Sequence, residues 1–176
     1  MAFKEYGINF LDTAEMYPVP TKAETQGRTD LVVGKWLKSM KRDEVILATK
    51  VAGPGIPWLS GRNGEGSRVS KQQIEVSIDE SLKRLGTDYV DLLQIHWPDR
   101  YTPIFGQSGY NVSMERDAIS FEEQLIALDS LVKSGKVRHI GVSNESPYGV
   151  MKFAQLSEKL GIHYTLIHSY AHTRIH

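Results

Sequence analysis

Residues 8–17 read Ile8-Asn9-Phe10-Leu11-Asp12-Thr13-Ala14-Glu15-Met16-Tyr17. Ile8, Phe10 and Leu11 make a short apolar run that stops at Asp12, and a tyrosine follows five residues later. The run predicts a strand over 8–12 with a carboxylate at its tip and a phenol just beyond. Two later runs have the same form: Val45-Ile46-Leu47-Ala48-Thr49 ends in Lys50, and Val90-Asp91-Leu92-Leu93-Gln94-Ile95 ends in His96. Folds built on parallel strands gather their sites at the carboxyl ends of those strands. With these three runs as parallel strands, Asp12, Tyr17, Lys50 and His96 converge on one face.

Outward from that stretch, strand and helix signals alternate. Met1–Tyr6 reads as the last turn of a helix closed by Gly7, an opening that implies chain before it. A helix is expected from about Asp30 to Met40, with Thr29 as its N-cap and Val32, Val33, Trp36, Leu37 and Met40 at helical spacing. Ser70-Lys71-Gln72-Gln73 reads as a capping box, and Ile74, Ile78, Leu82 and Leu85 form one apolar stripe before Gly86. Phe121, Leu125, Leu128 and Leu131 mark another helix, ending near Gly135. Val137–Asn144 reads as a fourth strand, Pro147 opens a helix that Gly161 stops, and Tyr164–Ile167 is a candidate fifth strand.

Near-continuous apolar strands separated by helices imply a parallel, covered sheet, either doubly wound or a (β/α)8 barrel. A doubly wound nucleotide fold wants its glycine turn directly after a strand. Gly61, Gly64 and Gly66 come more than ten residues after Lys50 and suit a mobile loop better. Several strands each ending in a polar residue favour the barrel.

Lys+Arg and Asp+Glu are both 21 among 176 residues, a balance that does not point to nucleic acid or an anionic membrane. There is no cysteine, which excludes disulfides and thiolate chemistry. No apolar run approaches the ~20 residues that span a bilayer, and the N-terminus lacks signal-peptide character, so a cytoplasmic protein is expected. His172 and His176 have i,i+4 spacing, which without a carboxylate partner reads as accidental.

The converging residues suggest proton chemistry at a carbonyl. Asp12 and Lys50 would form a buried ion pair. A phenol beside that ammonium should titrate below its usual value of about 10. Tyr17 could then give a proton to a carbonyl oxygen that His96 orients. With no redox-active residue at hand, the hydride would come from a nicotinamide.

At these residues the sequence resembles the aldo-keto reductase superfamily. Phe10–Tyr17 is similar to its strand-two motif, Leu47-Ala48-Thr49-Lys50 to its lysine-bearing strand, and Gln94-Ile95-His96-Trp97 to its histidine-bearing strand. Gly141-Val142-Ser143-Asn144 resembles the fifth-strand motif. The wording from Ala14 to Pro20 and His96-Trp97-Pro98 is most similar to the Tas-type bacterial and plant branch. The resemblance implies a (β/α)8 barrel, NADPH as cofactor, a small carbonyl substrate and Tyr17 as general acid with Asp12, Lys50 and His96 in support. It also implies that Ser143 and Asn144 hold the nicotinamide carboxamide; capping the following helix is their alternative role.

The chain departs from the family pattern after Gly161, where His163 to Tyr170 replaces a Gln-Asn-x-Tyr motif. The expectation is therefore an incomplete barrel of about five parallel strands, with a partial reductase domain at 1–161 and a divergent tail at 162–176. Such a chain would bind NADPH weakly by itself and self-associate through open sheet edges. A non-catalytic fragment that binds or regulates full-length chains is the alternative.

Overall fold

Five short apolar runs pair into one sheet. The strands are β1 (Phe10–Asp12), β2 (Ile46–Val51), β3 (Val90–Ile95), β4 (Val137–Ser143) and β5 (Ile167–Ser169), in the spatial order β1-β2-β3-β4-β5. Every pairing is parallel. The computed structural model describes residues 2–59, 62, 64, 66–107, 109–162 and 167–169. Helix α1 (Ala2–Tyr6) precedes β1, and α2 (Arg28–Leu37), α3 (Lys71–Leu85), α4 (Phe121–Lys133) and α5 (Pro147–Leu160) each follow one strand and lead to the next. Spatial order that matches chain order is the wall of a (β/α)8 barrel, whereas a doubly wound sheet reverses direction at a switch point. The architecture is an open arc of such a barrel.

Register decides which side chains share a face. Asp12 pairs with Ala48, Ala48 with Leu92, and Lys50 with Gln94. Side chains alternate along a strand, so Asp12, Lys50, Gln94 and, two residues on, His96 lie on the concave side. The opposite face carries Leu47, Val51, Leu93, Ile95, Ile140 and Val142. These pack against Ile74, Ile78, Leu82 and Leu85 of α3, Leu125, Leu128 and Leu131 of α4, and Phe153 of α5. Burying each aliphatic side chain there is worth about 1.5–3 kcal/mol. The stripe expected on α3 is therefore the main contact between that helix and the sheet.

Several boundaries differ from expectation. Strand β1 begins at Phe10 rather than Ile8: the Asn9 carbonyl still accepts from Ile46 N at 2.9 Å and its side chain donates to the Glu44 carbonyl at 3.2 Å, while Ile8 is exposed. Helix α2 starts at Arg28, two residues early, with Gly27 at φ 73° as its N-cap in place of Thr29. Ser70 does accept from the Gln73 amide, but the Gln73 side chain does not close the capping box. It accepts from the Arg68 amide at 2.7 Å and donates to the Gly66 carbonyl at 3.1 Å, so it holds the preceding loop instead. Helices α3 and α5 end as expected, at Gly86 and Gly161 in the left-handed region. Strand β5 is described at Ile167–Ser169, overlapping the expected strand at Ile167, the rest of which lies outside the described residues. Residues 163–166 and 170–176, with His172 and His176, lie outside the described residues, as do residues 60, 61, 63, 65 and 108.

Candidate active site

The loops leaving the strand tips start from fixed points, because strand-type hydrogen bonds continue beyond the strands. Thr13 N donates to Ala48 O at 2.9 Å, Glu15 N to Lys50 O at 3.2 Å and His96 N to Val51 O at 2.9 Å. Asp12, Lys50 and His96 are thereby set at neighbouring tips by backbone alone. The Lys50 ammonium lies 2.7 Å from Asp12 Oδ2 and donates to Thr13 O at 3.1 Å. Gln94 Nε2 donates to the other Asp12 oxygen at 3.2 Å. Lys50 is buried while the Asp12 side chain keeps 40% exposure, so the pair is sheltered on the lysine side only.

Tyr17 and His96 meet edge to face with ring centroids 5.7 Å apart, and Lys50 Nζ is 5.5 Å from the Tyr17 ring centroid. The four residues named from sequence are therefore one cluster. The expected acidification of Tyr17 is reversed: burial and the Asp12 carboxylate push the phenol above its ordinary value. The main physical reason is burial, which disfavours the charged phenolate, and the Asp12 carboxylate adds a repulsion in the same direction. At neutral pH Tyr17 carries its proton. His96 is driven to about 3 by burial and by the charge of Lys50, so its ring is neutral. Its Nδ1 is buried without a hydrogen-bond partner among the described residues.

Strand β4 delivers Ser143 and Asn144 beside this cluster. Neither caps α5; Ser146 does so by accepting from the Gly149 amide at 3.2 Å. Asn144 adopts φ 52°, a conformation that asparagine tolerates better than most residues. Its side-chain amide donates to His96 O at 2.8 Å and to Ser143 Oγ at 3.1 Å. That leaves the Asn144 side-chain oxygen to accept and the Ser143 hydroxyl to donate, the complementary pair that a carboxamide requires. The donor set fits the nicotinamide end of a dinucleotide.

A cleft of about 580 Å³ opens over the cluster. Tyr17, His96 and Asn144 line its floor, and Met16, Ile56, Trp97, Ile104, Phe105 and Met114 line its walls. Trp97 holds its place because Gly53 lets the ring approach its backbone. A Cβ at Gly53 would stand 2.3 Å from the indole, and Trp97 Nε1 donates to Pro54 O at 3.1 Å. Trp58 packs against the apolar cluster beside the cleft.

Three buried ion pairs that sequence reading missed hold the loops. Glu15, inside the opening motif, accepts from Arg62 at 2.9 Å and from Ala52 N at 2.6 Å. Asp30 joins Thr13 at 2.8 Å to Arg84 at 3.0 Å. Asp99 accepts from Arg68 at 2.7 Å and from the amides of Val69 and Ile119 at 2.9 and 2.8 Å. Their partners lie 17 to 54 residues apart in the chain, so no local spacing signals them.

Comparison with known proteins places the chain in one family. The sequence model of the "Aldo/keto reductase family" matches residues 1–167. The chain is similar to Protein tas of Escherichia coli (strain K12), 46% identical over 158 residues, covering 87% of this chain and 44% of that one. It is similar to the aldo-keto reductase YhdN of Bacillus subtilis, 38% identical over 144 residues, covering 81% of this chain and 34% of that one. In structure it resembles the thermostable aldo-keto reductase Tm1743, crystallised with the inhibitor epalrestat. The TM-score there is 0.65 at 27% identity, covering 94% of this chain and 46% of that one. The chain spans less than half the length of these relatives. No helix among the described residues is long and apolar enough to cross a membrane. With the family model matched along nearly its whole length, the chain belongs to the aldo/keto reductase family of oxidoreductases.

Proposed function

We propose that the chain carries the acid half of a carbonyl reductase site, with Tyr17 as the proton donor and NADPH as the cofactor. The observation that carries this reading is the Tyr17–His96–Lys50–Asp12 cluster, whose Tyr17 and His96 line an apolar cleft. A protonated phenol can give its proton to a carbonyl oxygen as negative charge develops there. Neutral His96 orients that oxygen without competing as an acid. Lys50, fixed by Asp12 and Thr13 O, stabilises the phenolate left behind. Ser143 and Asn144 would hold the carboxamide, and the bound dinucleotide supplies the hydride.

The test is Tyr17→Phe in a chain that carries the whole barrel. The variant should lose carbonyl reduction while its NADPH affinity stays within about twofold, because the phenol donates a proton but does not grip the dinucleotide. Retention of a tenth of the parental turnover, on the order of a 1.4 kcal/mol effect only, would remove Tyr17 from the role of acid. Parallel titrations with NADPH and NADH test the choice of cofactor.

A further inference from the structure

The charge lining the cleft is one-sided. Among the described residues that line it there is no Asp or Glu, but there are two arginines, Arg100 and Arg116. Arg100 is neutralised: it binds both Glu145 oxygens, at 2.9 and 2.5 Å, and Ser146 Oγ at 2.8 Å. Arg116 forms no ion pair with the described residues. Its one hydrogen bond to them runs from Nε to Asp99 O at 3.1 Å, and Asp99 is itself held by Arg68, Val69 and Ile119. The guanidinium is thus anchored by one edge to a rigid loop. Of its flanking acids, Glu115 accepts the Tyr110 hydroxyl at 2.7 Å, and neither Glu115 nor Asp117 forms an ion pair with Arg116 among the described residues.

A guanidinium with no ion pair among the described residues, in the lining of a cleft that also presents a phenol and a neutral imidazole, sorts ligands by two features at once. The floor takes a carbonyl oxygen. The outer wall takes an anion, and guanidinium geometry favours a planar carboxylate held by two N–H groups. Between them, Met16, Ile56, Trp97, Ile104, Phe105 and Met114 suit an aromatic or other apolar body. We propose that Arg116 is a specificity-determining residue that selects hydrophobic aldehydes or ketones bearing a carboxylate remote from the carbonyl. This inference rests on the reading of the cleft as a carbonyl site and names the substrate class within it.

Equilibrium binding to this chain tests the proposal without turnover or cofactor. The probes are 6-formyl-2-naphthoate and its neutral isostere, the 2-carboxamide, titrated by calorimetry at low ionic strength. Arg116 is exposed, so the carboxylate should be preferred by a modest factor, about fivefold, and less at high salt. Arg116→Gln should bring the two affinities within about twofold while leaving the carboxamide unchanged, and Arg116→Lys should keep part of the preference. Equal binding of the two probes to the parent chain overturns the carboxylate subsite and leaves the carbonyl site standing. A preference that survives Arg116→Gln but vanishes in Tyr17→Phe also overturns it, because the carboxylate then sits at the floor. Binding of neither probe overturns both the subsite and the reading of the cleft beneath it.

Discussion

Asn144 donates its side-chain amide to the backbone carbonyl of His96 at 2.8 Å, so the tip of β4 holds the tip of β3. The bond is buried and joins the residue assigned to the cofactor with the residue assigned to the carbonyl. Asn144→Ala should lose it and also strain the backbone at φ 52°, for a combined cost of about 2–4 kcal/mol. Asn144→Gly should recover only the strain term. Thermal or denaturant unfolding of the two variants separates the contributions; equal losses in both would mean that strain contributes nothing.

The pH response follows from His96. Its pKa is about 3 in the folded chain against an ordinary 6.5, so the unfolded chain binds the proton more readily. The sign follows: stability is full above about pH 6.5 and falls as pH drops toward 3, by up to ~1.4 kcal/mol for each pH unit. His96→Gln should flatten that slope in a series of melts. If carbonyl reduction in a chain with the whole barrel uses neutral His96 and protonated Tyr17 as proposed, it should show no titration near 6.5, falling only toward pH 3 and again at alkaline pH.

Breaking the Glu15–Arg62 pair should be costly. Burial outweighs Arg62 and already pushes the Glu15 carboxyl above its usual range. Arg62→Met leaves that group without its cation, for a loss of about 3–5 kcal/mol at neutral pH. The folded variant then holds a proton on Glu15 more tightly than the unfolded chain does. Its deficit should therefore shrink as pH falls toward about 5. A deficit independent of pH, read from unfolding curves, would show that lost packing and not the buried charge sets the cost.

Gly53 sits where a Cβ would enter the indole of Trp97. Gly53→Ala should displace Trp97 from the cleft wall and change tryptophan emission. The probe affinities at the floor should fall by about tenfold, while core stability falls by only about 1–3 kcal/mol. Unchanged emission would mean that the loop backbone moves and the ring does not.

Strand β1 pairs only with β2 among the described residues, and Ile8 and Phe10 are exposed there. An open apolar edge of this kind recruits other strands. Concentration-dependent self-association is the expected result in light scattering, and Phe10→Lys should reduce it. A monodisperse monomer at high micromolar concentration would show the edge to be covered.

Asp12, Lys50 and His96 were legible in the sequence because each closes an apolar run, and strand polarity alone puts such residues at one end of a parallel sheet. The α3 stripe and the glycine stops after α3 and α5 were legible for the same reason: they are local, set by the 3.6-residue period and by backbone conformations that favour glycine. Tertiary structure decided what depends on distance across the chain. It joined Glu15 to Arg62 and Asp30 to Arg84, and it turned the Gln73 side chain away from its capping box toward Gly66. It also raised the Tyr17 pKa, where neighbour counting predicted a fall. Desolvation and the sum of opposing charges are properties of an environment, and a linear sequence lists the charges without the distances that weight them.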